Sequence, residues 1–231
     1  MRIENITKSY GALPILQNFS LQVNPGEIVA LIGPSGCGKS TLLNIISGLQ
    51  KPDSGVIRND CRKIGYVFQD SRLLPWRTVA ENIHLVRPKG RMEEVEEWID
   101  AVGLHGFAQY YPSQLSGGMA KRCAIAKAFY YKSDFLLMDE PFQGLDYGIR
   151  MEMLRMLLEI WQKEKQGILF VTHEIDEALT IATKIAVLRA RPTSVLKEIG
   201  LPGREGRDAS AEELQEIRHE IIQYILPETE E

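Results

Sequence analysis

The 231-residue sequence predicts an α/β fold with a mostly parallel sheet covered by helices on both faces. Three observations carry that prediction. Short apolar runs end on glycine, on acids or on histidine; helical stretches separate those runs; and between Asp70 and Tyr131 the alternation gives way to consecutive helices. This last stretch reads as a helical lobe inserted into an α/β core.

In chain order, Glu27–Gly33 (EIVALIG) is an apolar run closed by glycine, the pattern of a buried strand, and STLLNIISGL after it reads as a helix. Lys63–Gln69 (KIGYVFQ) is a second strand. The lobe carries the turn LLPWRT, a charged helix in RMEEVEEWIDAVGL, and a helix behind the glycines of QLSGGMAKRC, where Ala120, Ala124, Ile125 and Ala128 share one face. The core resumes with the strand DFLLMDEP, a long helix from about Tyr147 to Lys165, the strand GILFVTH, the helix EIDEALTIA and the strand KIAVLRA. Ser210 opens SAEE, a capping-box pattern. Behind it Leu214, Ile217, Ile221 and Ile225 line a face expected to pack on the chain's own core.

Composition narrows the function classes. The net charge of −4 and the absence of a basic stripe argue against nucleic acid as a partner. Cys37, Cys61 and Cys123 have neither disulfide nor metal-type spacing, as expected of reduced thiols in the cytosol. The N-terminal residues hold no apolar run of signal-peptide length, and no segment approaches the ~20 apolar residues of a membrane span. Membrane association is therefore expected to run through a partner.

Gly33–Thr41 (GPSGCGKST) has glycine, four residues, glycine, lysine and serine between a predicted strand and a predicted helix, the phosphate-loop pattern in its required context. Backbone N–H groups of such a loop form an anion nest, and the helix behind adds the positive end of its dipole. Gly33, Pro34, Ser35, Gly36, Cys37, Gly38, Lys39, Ser40 and Thr41 are thus the expected ATP-binding residues, with Lys39 on the β- and γ-phosphates and Ser40 on Mg²⁺. Cys37 lies at a helix N-terminus and is expected to be sensitive to alkylation, without a catalytic role.

In Phe135–Pro141 (FLLMDEP) two acids end an apolar run, and ligands gather at the C-terminal ends of parallel strands. Asp139 is the candidate metal residue and Glu140 the candidate to polarise an attacking water. His173 ends a third strand and is placed to hydrogen-bond the γ-phosphate. Gln69 ends another and offers an amide oxygen to Mg²⁺. Tyr10 reads either as an adenine-stacking residue or as an ordinary edge-strand aromatic.

The phosphate loop, Gln69, LSGGM (Leu115–Met119), LLMDEP and His173 occur in the order found in one family. From about Ile3 to Leu201 the chain resembles the ATP-binding subunit of an ABC transporter. The resemblance implies a P-loop NTPase (RecA-like) core at 1–69 and 132–205, an N-terminal antiparallel β subdomain, an α-helical subdomain at 70–131, and a C-terminal helix at 206–231. It makes Tyr10 the adenine-stacking residue, Glu140 the catalytic base and His173 the switch histidine. Leu115, Ser116, Gly117, Gly118 and Met119 would close over ATP held by a second, head-to-tail copy, and Gly144–Asp146 resembles the loop crossing that interface, with Asp146 in it. Residues 69–83 resemble the groove for a coupling helix of the membrane subunits, where Leu73, Leu74, Pro75 and Trp76 read either as apolar anchors for that helix or as residues buried inside the lobe.

LLPW, LSGGM and Arg189–Leu201 resemble the nitrate, sulfonate and taurine importer branch. Met119 stands where many members have glutamine, and Gln143-Gly144 where a small pair is common. The resemblance implies a peripheral subunit at the cytoplasmic face of the membrane. Expected partners are a second copy, transmembrane permease subunits and a separate solute-binding protein. No C-terminal regulatory domain is expected after Leu201. The solute would be a small anion such as nitrate or an alkanesulfonate, or a small heteroaromatic nutrient. Two other readings stand beside this one: an efflux or lipid-transport cassette, and a soluble ABC ATPase acting on DNA or the ribosome. The single phosphate loop and lack of sustained heptads weigh against the soluble ATPase.

Overall fold

A computed structural model of the chain describes residues 1–59, 61–203, 207 and 211–225. The chain divides into two compact units, one formed by 1–61 with 167–231 and the other by 62–166.

The first unit contains two sheets. Strands β1 (Arg2–Tyr10), β2 (Leu13–Gln22) and β4 (Ser54–Arg58) form an antiparallel sheet in the order β2-β1-β4. Strand β3 (Ile28–Ile32) is flanked in parallel by β7 (Gly167–Thr172) and β8 (Lys184–Leu188), with Ala30 opposite Phe170 on one side and Ile185 on the other. Every residue of β3 and β7 is buried, which is why both read as unbroken apolar runs rather than alternating ones. Each buried Val, Leu or Ile stabilises the fold by about 1.5–3 kcal/mol. Strand β9 (Val195–Gly200) closes the edge antiparallel to β8.

Helices α1 (Lys39–Ile46), α6 (Ile175–Ile181) and α7 (Glu212–Ile225) complete this unit. Helix α7 packs on α6 and β8, burying Leu214 and Ile221 fully and Ile217 and Ile225 in part. Ser210 lies outside the described residues, and so does its capping box.

The second unit pairs β5 (Ile64–Val67) in parallel with β6 (Phe135–Asp139), Ile64 opposite Phe135. Its helices are α2 (Val79–His84), α3 (Met92–Ala101), α4 (Gly117–Tyr130) and α5 (Tyr147–Glu164). Helices α2, α3 and α4 pack on one another. Trp98 of α3 stacks on Phe129 of α4 with ring centroids 5.6 Å apart.

Among the elements that the sequence reading does not pick out are α2 and β9. Helix α2 has a complete capping box, with Glu81 N–H donating to Thr78 Oγ1 at 3.3 Å and Thr78 N–H to Glu81 Oε2 at 2.9 Å. Strand β9 is half-exposed apart from Ile199, so its apolar content is low for a strand.

Candidate functional site

Strand β3 ends at Ile32 and α1 begins at Lys39, so Gly33–Gly38 makes the whole connection. Gly38 has φ 117°, and a Cβ there would come within 2.5 Å of Ile15 Cγ2, so both dihedral and packing demand glycine. Gly38 caps α1 without a side-chain hydrogen bond, which leaves first-turn N–H groups for an anion. Ser40 and Thr41 sit in that turn.

Lys39 folds back on the loop: its Nζ donates to the carbonyl oxygens of Gly33 at 2.7 Å and Pro34 at 2.9 Å, and the residue is 6% exposed. Ser35 is exposed and Pro34 half-buried. Cys37 is 2% exposed, which corrects the expectation of alkylation sensitivity, because burial denies reagents access.

Tyr10 ends β1 and is half-exposed. Its hydroxyl donates to Gln50 Oε1 at 2.9 Å, and Lys8 Nζ lies 5.9 Å from its ring centroid. A ring fixed at its rim with a face in solvent suits a planar aromatic ligand. Asp53 anchors the strand end, accepting from Lys8 Nζ and the Ser9 N–H at 2.7 Å each; these bonds hold its carboxyl below the usual range. In the same unit His173 follows β7 and is exposed, with Nε2 3.8 Å from Glu174 Oε1. Thr172, just before it, is buried and donates to the buried Glu177 Oε2 at 2.6 Å.

The second unit holds the acids. All five residues of β6 are buried, and the strand delivers Asp139 at its end. Tyr66 of β5 hydrogen-bonds Asp139; burial first, and then the charge of that carboxylate, push the phenol above its ordinary range. Glu140 follows, half-buried, with φ 44°. That left-handed conformation costs a non-glycine residue about 1–3 kcal/mol, and such strain collects at functional sites.

Gln69 Nε2 donates to Gln143 Oε1, and Lys121 Nζ of α4 donates to the Gln69 carbonyl at 3.3 Å. Gln143 thus orients Gln69: it engages the amide nitrogen and leaves the amide oxygen for a ligand. The Gln69 amide oxygen and the Asp139 carboxylate of this unit are hard oxygen donors, the kind that suits Mg²⁺, and so is the Ser40 hydroxyl of the first unit.

Ser116 caps α4, its Oγ accepting the Met119 N–H at 3.2 Å, and Leu115 precedes it half-buried. No acid sits in the first turn of α4, so the positive end of its dipole is uncompensated. A Cβ at Gly117 would meet nothing within 4 Å, and at Gly118 its nearest neighbours would be Ile149 Cγ2 at 3.4 Å, Leu145 Cδ2 at 3.7 Å and Ser116 Oγ at 4.0 Å, ordinary contacts. The chain's own packing therefore does not require these glycines. Asp146 caps α5, its Oδ1 accepting the Ile149 N–H at 3.0 Å.

Trp76 is 70% exposed, and the turn that displays it is built around the buried Asn82. Asn82 Oδ1 accepts the Leu74 N–H at 2.7 Å, and Nδ2 donates to the carbonyls of Leu74, Arg77 and Thr78 at 3.0–3.1 Å. Asn82, Gln50 and Tyr66 carry no motif of their own; only their contacts mark them.

The model of the family described as ABC transporter matches residues 16–143. The aliphatic sulfonates import ATP-binding protein SsuB of Bacillus cereus is 40% identical over 227 residues, covering 94% of this chain and 90% of the relative. SsuB of Bacillus subtilis (strain 168) is 40% identical over 219 residues, covering 90% and 86%. Among solved structures, a dimeric post-hydrolysis state of the ATP-binding cassette MJ0796 bound to ADP and Pi superposes with a TM-score of 0.76. It is 31% identical and covers 87% of this chain and 99% of that one.

Proposed function

The chain belongs to the ABC transporter family, and on that premise we propose that it is the ATP-hydrolysing subunit of an importer for a small sulfonate-like solute. It works as a head-to-tail pair of copies that closes around ATP. The observation that carries the paired reading is Gly117: a Cβ there would meet nothing within 4 Å, yet glycine, a poorer helix former than alanine, stands at the helix entrance. That choice makes sense if the bare backbone must approach a ligand that a second copy brings.

In this reading the Gly33–Thr41 loop and the α1 N-terminus grip the phosphates, and Tyr10 stacks on the adenine. Lys39 leaves the Gly33 and Pro34 carbonyls for the β- and γ-phosphates. Mg²⁺ held by Ser40, Gln69 and Asp139 would neutralise charge on the phosphates. Glu140 takes a proton from the attacking water, and His173 donates to the γ-phosphate and keeps water and base in line. Ser116 and the N–H groups of Gly117 and Gly118 cap the γ-phosphate of the partner copy, and Asp146 lies in the loop that crosses the interface. Closure on ATP and opening after hydrolysis form a ligand-driven population shift.

No helix among the described residues is long and apolar enough to cross a membrane. Work is delivered to separate permease subunits at the cytoplasmic face, with Leu73, Leu74, Pro75 and Trp76 receiving their coupling helix. A separate solute-binding protein supplies the solute. Affinity purification of the chain from its own cells tests the reading. Recovery with integral-membrane subunits, and ATP turnover of that complex stimulated by an alkanesulfonate, are the expected results; recovery with nucleic acid or ribosomes would contradict it.

A further inference from the structure

The six residues joining β8 to β9, Arg189–Ser194, lie outside the residues the family model matches, and no role above uses them. They close on themselves, with the Arg189 N–H donating to the Ser194 carbonyl at 3.0 Å, and they reach the phosphate loop from its outer side. Arg191 Nε donates to the Gly36 carbonyl at 2.7 Å. Thr193 Oγ1 donates to the carbonyl of the next residue, Cys37. Thr193 is fully buried and doubly tied to β2: its N–H donates to the Ile15 carbonyl at 2.8 Å, and its carbonyl accepts the Gln17 N–H at 3.2 Å.

We propose that this connection is an outer brace of the phosphate loop, with Arg191 and Thr193 as positioning residues for nucleotide binding. The inference rests on the phosphate-loop reading above. A trans peptide is planar, and its C=O and N–H point in opposite directions. Fixing a carbonyl on the outside of a loop therefore turns the N–H of the following residue the other way. With the Gly36 carbonyl held by Arg191, the Cys37 N–H turns to the Pro34 carbonyl at 3.3 Å and tightens the loop. With the Cys37 carbonyl held by Thr193, the Gly38 N–H faces inward, toward an anion. Both glycines have positive φ and would otherwise sample many orientations, so donors on their outer carbonyls spare the nucleotide the work of ordering the nest. The guanidinium of Arg191 also sets a positive charge beside the loop.

The test uses the purified full chain. Equilibrium binding of ATP and ADP, steady-state KM and kcat, and thermal unfolding are measured for Thr193→Val, Thr193→Ser and Arg191→Met, with Lys39→Ala as reference. Thr193→Val and Arg191→Met are each expected to weaken both nucleotides roughly tenfold, the scale of one lost hydrogen bond to a constrained group. KM should rise by a similar factor with kcat changed less than about threefold, and Thr193→Ser should restore binding. Arg191 is exposed, so Arg191→Met folds and carries the test even if Thr193→Val does not. Wild-type affinity in Arg191→Met and in folded Thr193→Val, beside a Lys39→Ala that has lost binding, would overturn the brace alone. If Lys39→Ala both binds and turns over ATP as the wild type does, the phosphate-loop reading fails and takes the brace with it.

Discussion

Lys39 Nζ lies 2.7 Å from the carbonyl oxygen of Gly33, so the lysine of the phosphate loop is folded onto the loop that displays it. Its ammonium has two carbonyl partners there, and in the proposed function it exchanges them for phosphate oxygens, whose negative charge makes the stronger bonds. Lys39→Ala is expected to lower ATP affinity by more than about tenfold or to abolish turnover. Titration calorimetry with ATP and a phosphate-release assay check it; unchanged affinity and rate would refute the assignment.

Glu140 sits one residue past a fully buried strand with φ 44°, held at a strained site rather than in a relaxed loop. Glu140→Gln keeps the shape and removes the carboxylate proposed as the base. ATP binding should persist while turnover falls by about 10²–10⁴, the usual contribution of a general base. Single-turnover quench experiments measure the chemical step directly; near-normal hydrolysis would remove Glu140 from its role.

The three thiols should differ sharply toward alkylation. Burial pushes the Cys123 thiol up to about 12, against a smaller opposing pull from Lys127. A thiol with that pKa is about one part in 10⁴ thiolate at pH 8, and the thiolate is the reactive form. Cys37 is also buried, and Cys61 is half-exposed. Iodoacetamide at pH 8 should therefore modify Cys61 first, with Cys37 and Cys123 reacting only after unfolding. Time-resolved mass spectrometry of tryptic peptides reads the order.

Trp76 lies on the turn that Asn82 of α2 holds together, and the two residues should fail differently. Trp76→Ala removes an exposed ring, so stability should change by less than about 0.5 kcal/mol and ATP affinity should hold, while stimulation by membrane subunits is lost. Asn82→Ala removes the buried amide that satisfies four backbone groups of the turn and should cost more than about 2 kcal/mol in chemical unfolding.

Legibility in the sequence follows the physics of each element. The strands β3, β6 and β7 are readable because full burial writes an unbroken apolar run, and the phosphate loop because the nest needs glycines at set places. Strand β9 is not, because an edge strand with little buried surface has no such run. Helix α2 escapes notice although Thr78 and Glu81 spell its capping box; six residues are too few to show a period. The partners that orient the candidate site, Gln143 on Gln69, Gln50 on Tyr10 and Thr193 on Cys37, are long-range contacts between residues with no local pattern.

In the proposed pair, the glycines of the α4 entrance serve a nucleotide bound by the other copy. In a Glu140→Gln background, light scattering after gel filtration should show a dimer with ATP and a monomer without it. Gly117→Val in the same background, where a Cβ meets nothing within 4 Å, should bind ATP with unchanged affinity and stay monomeric. A variant that still dimerises on ATP as its parent does, or whose monomer no longer binds ATP, would rule out that role for the glycines.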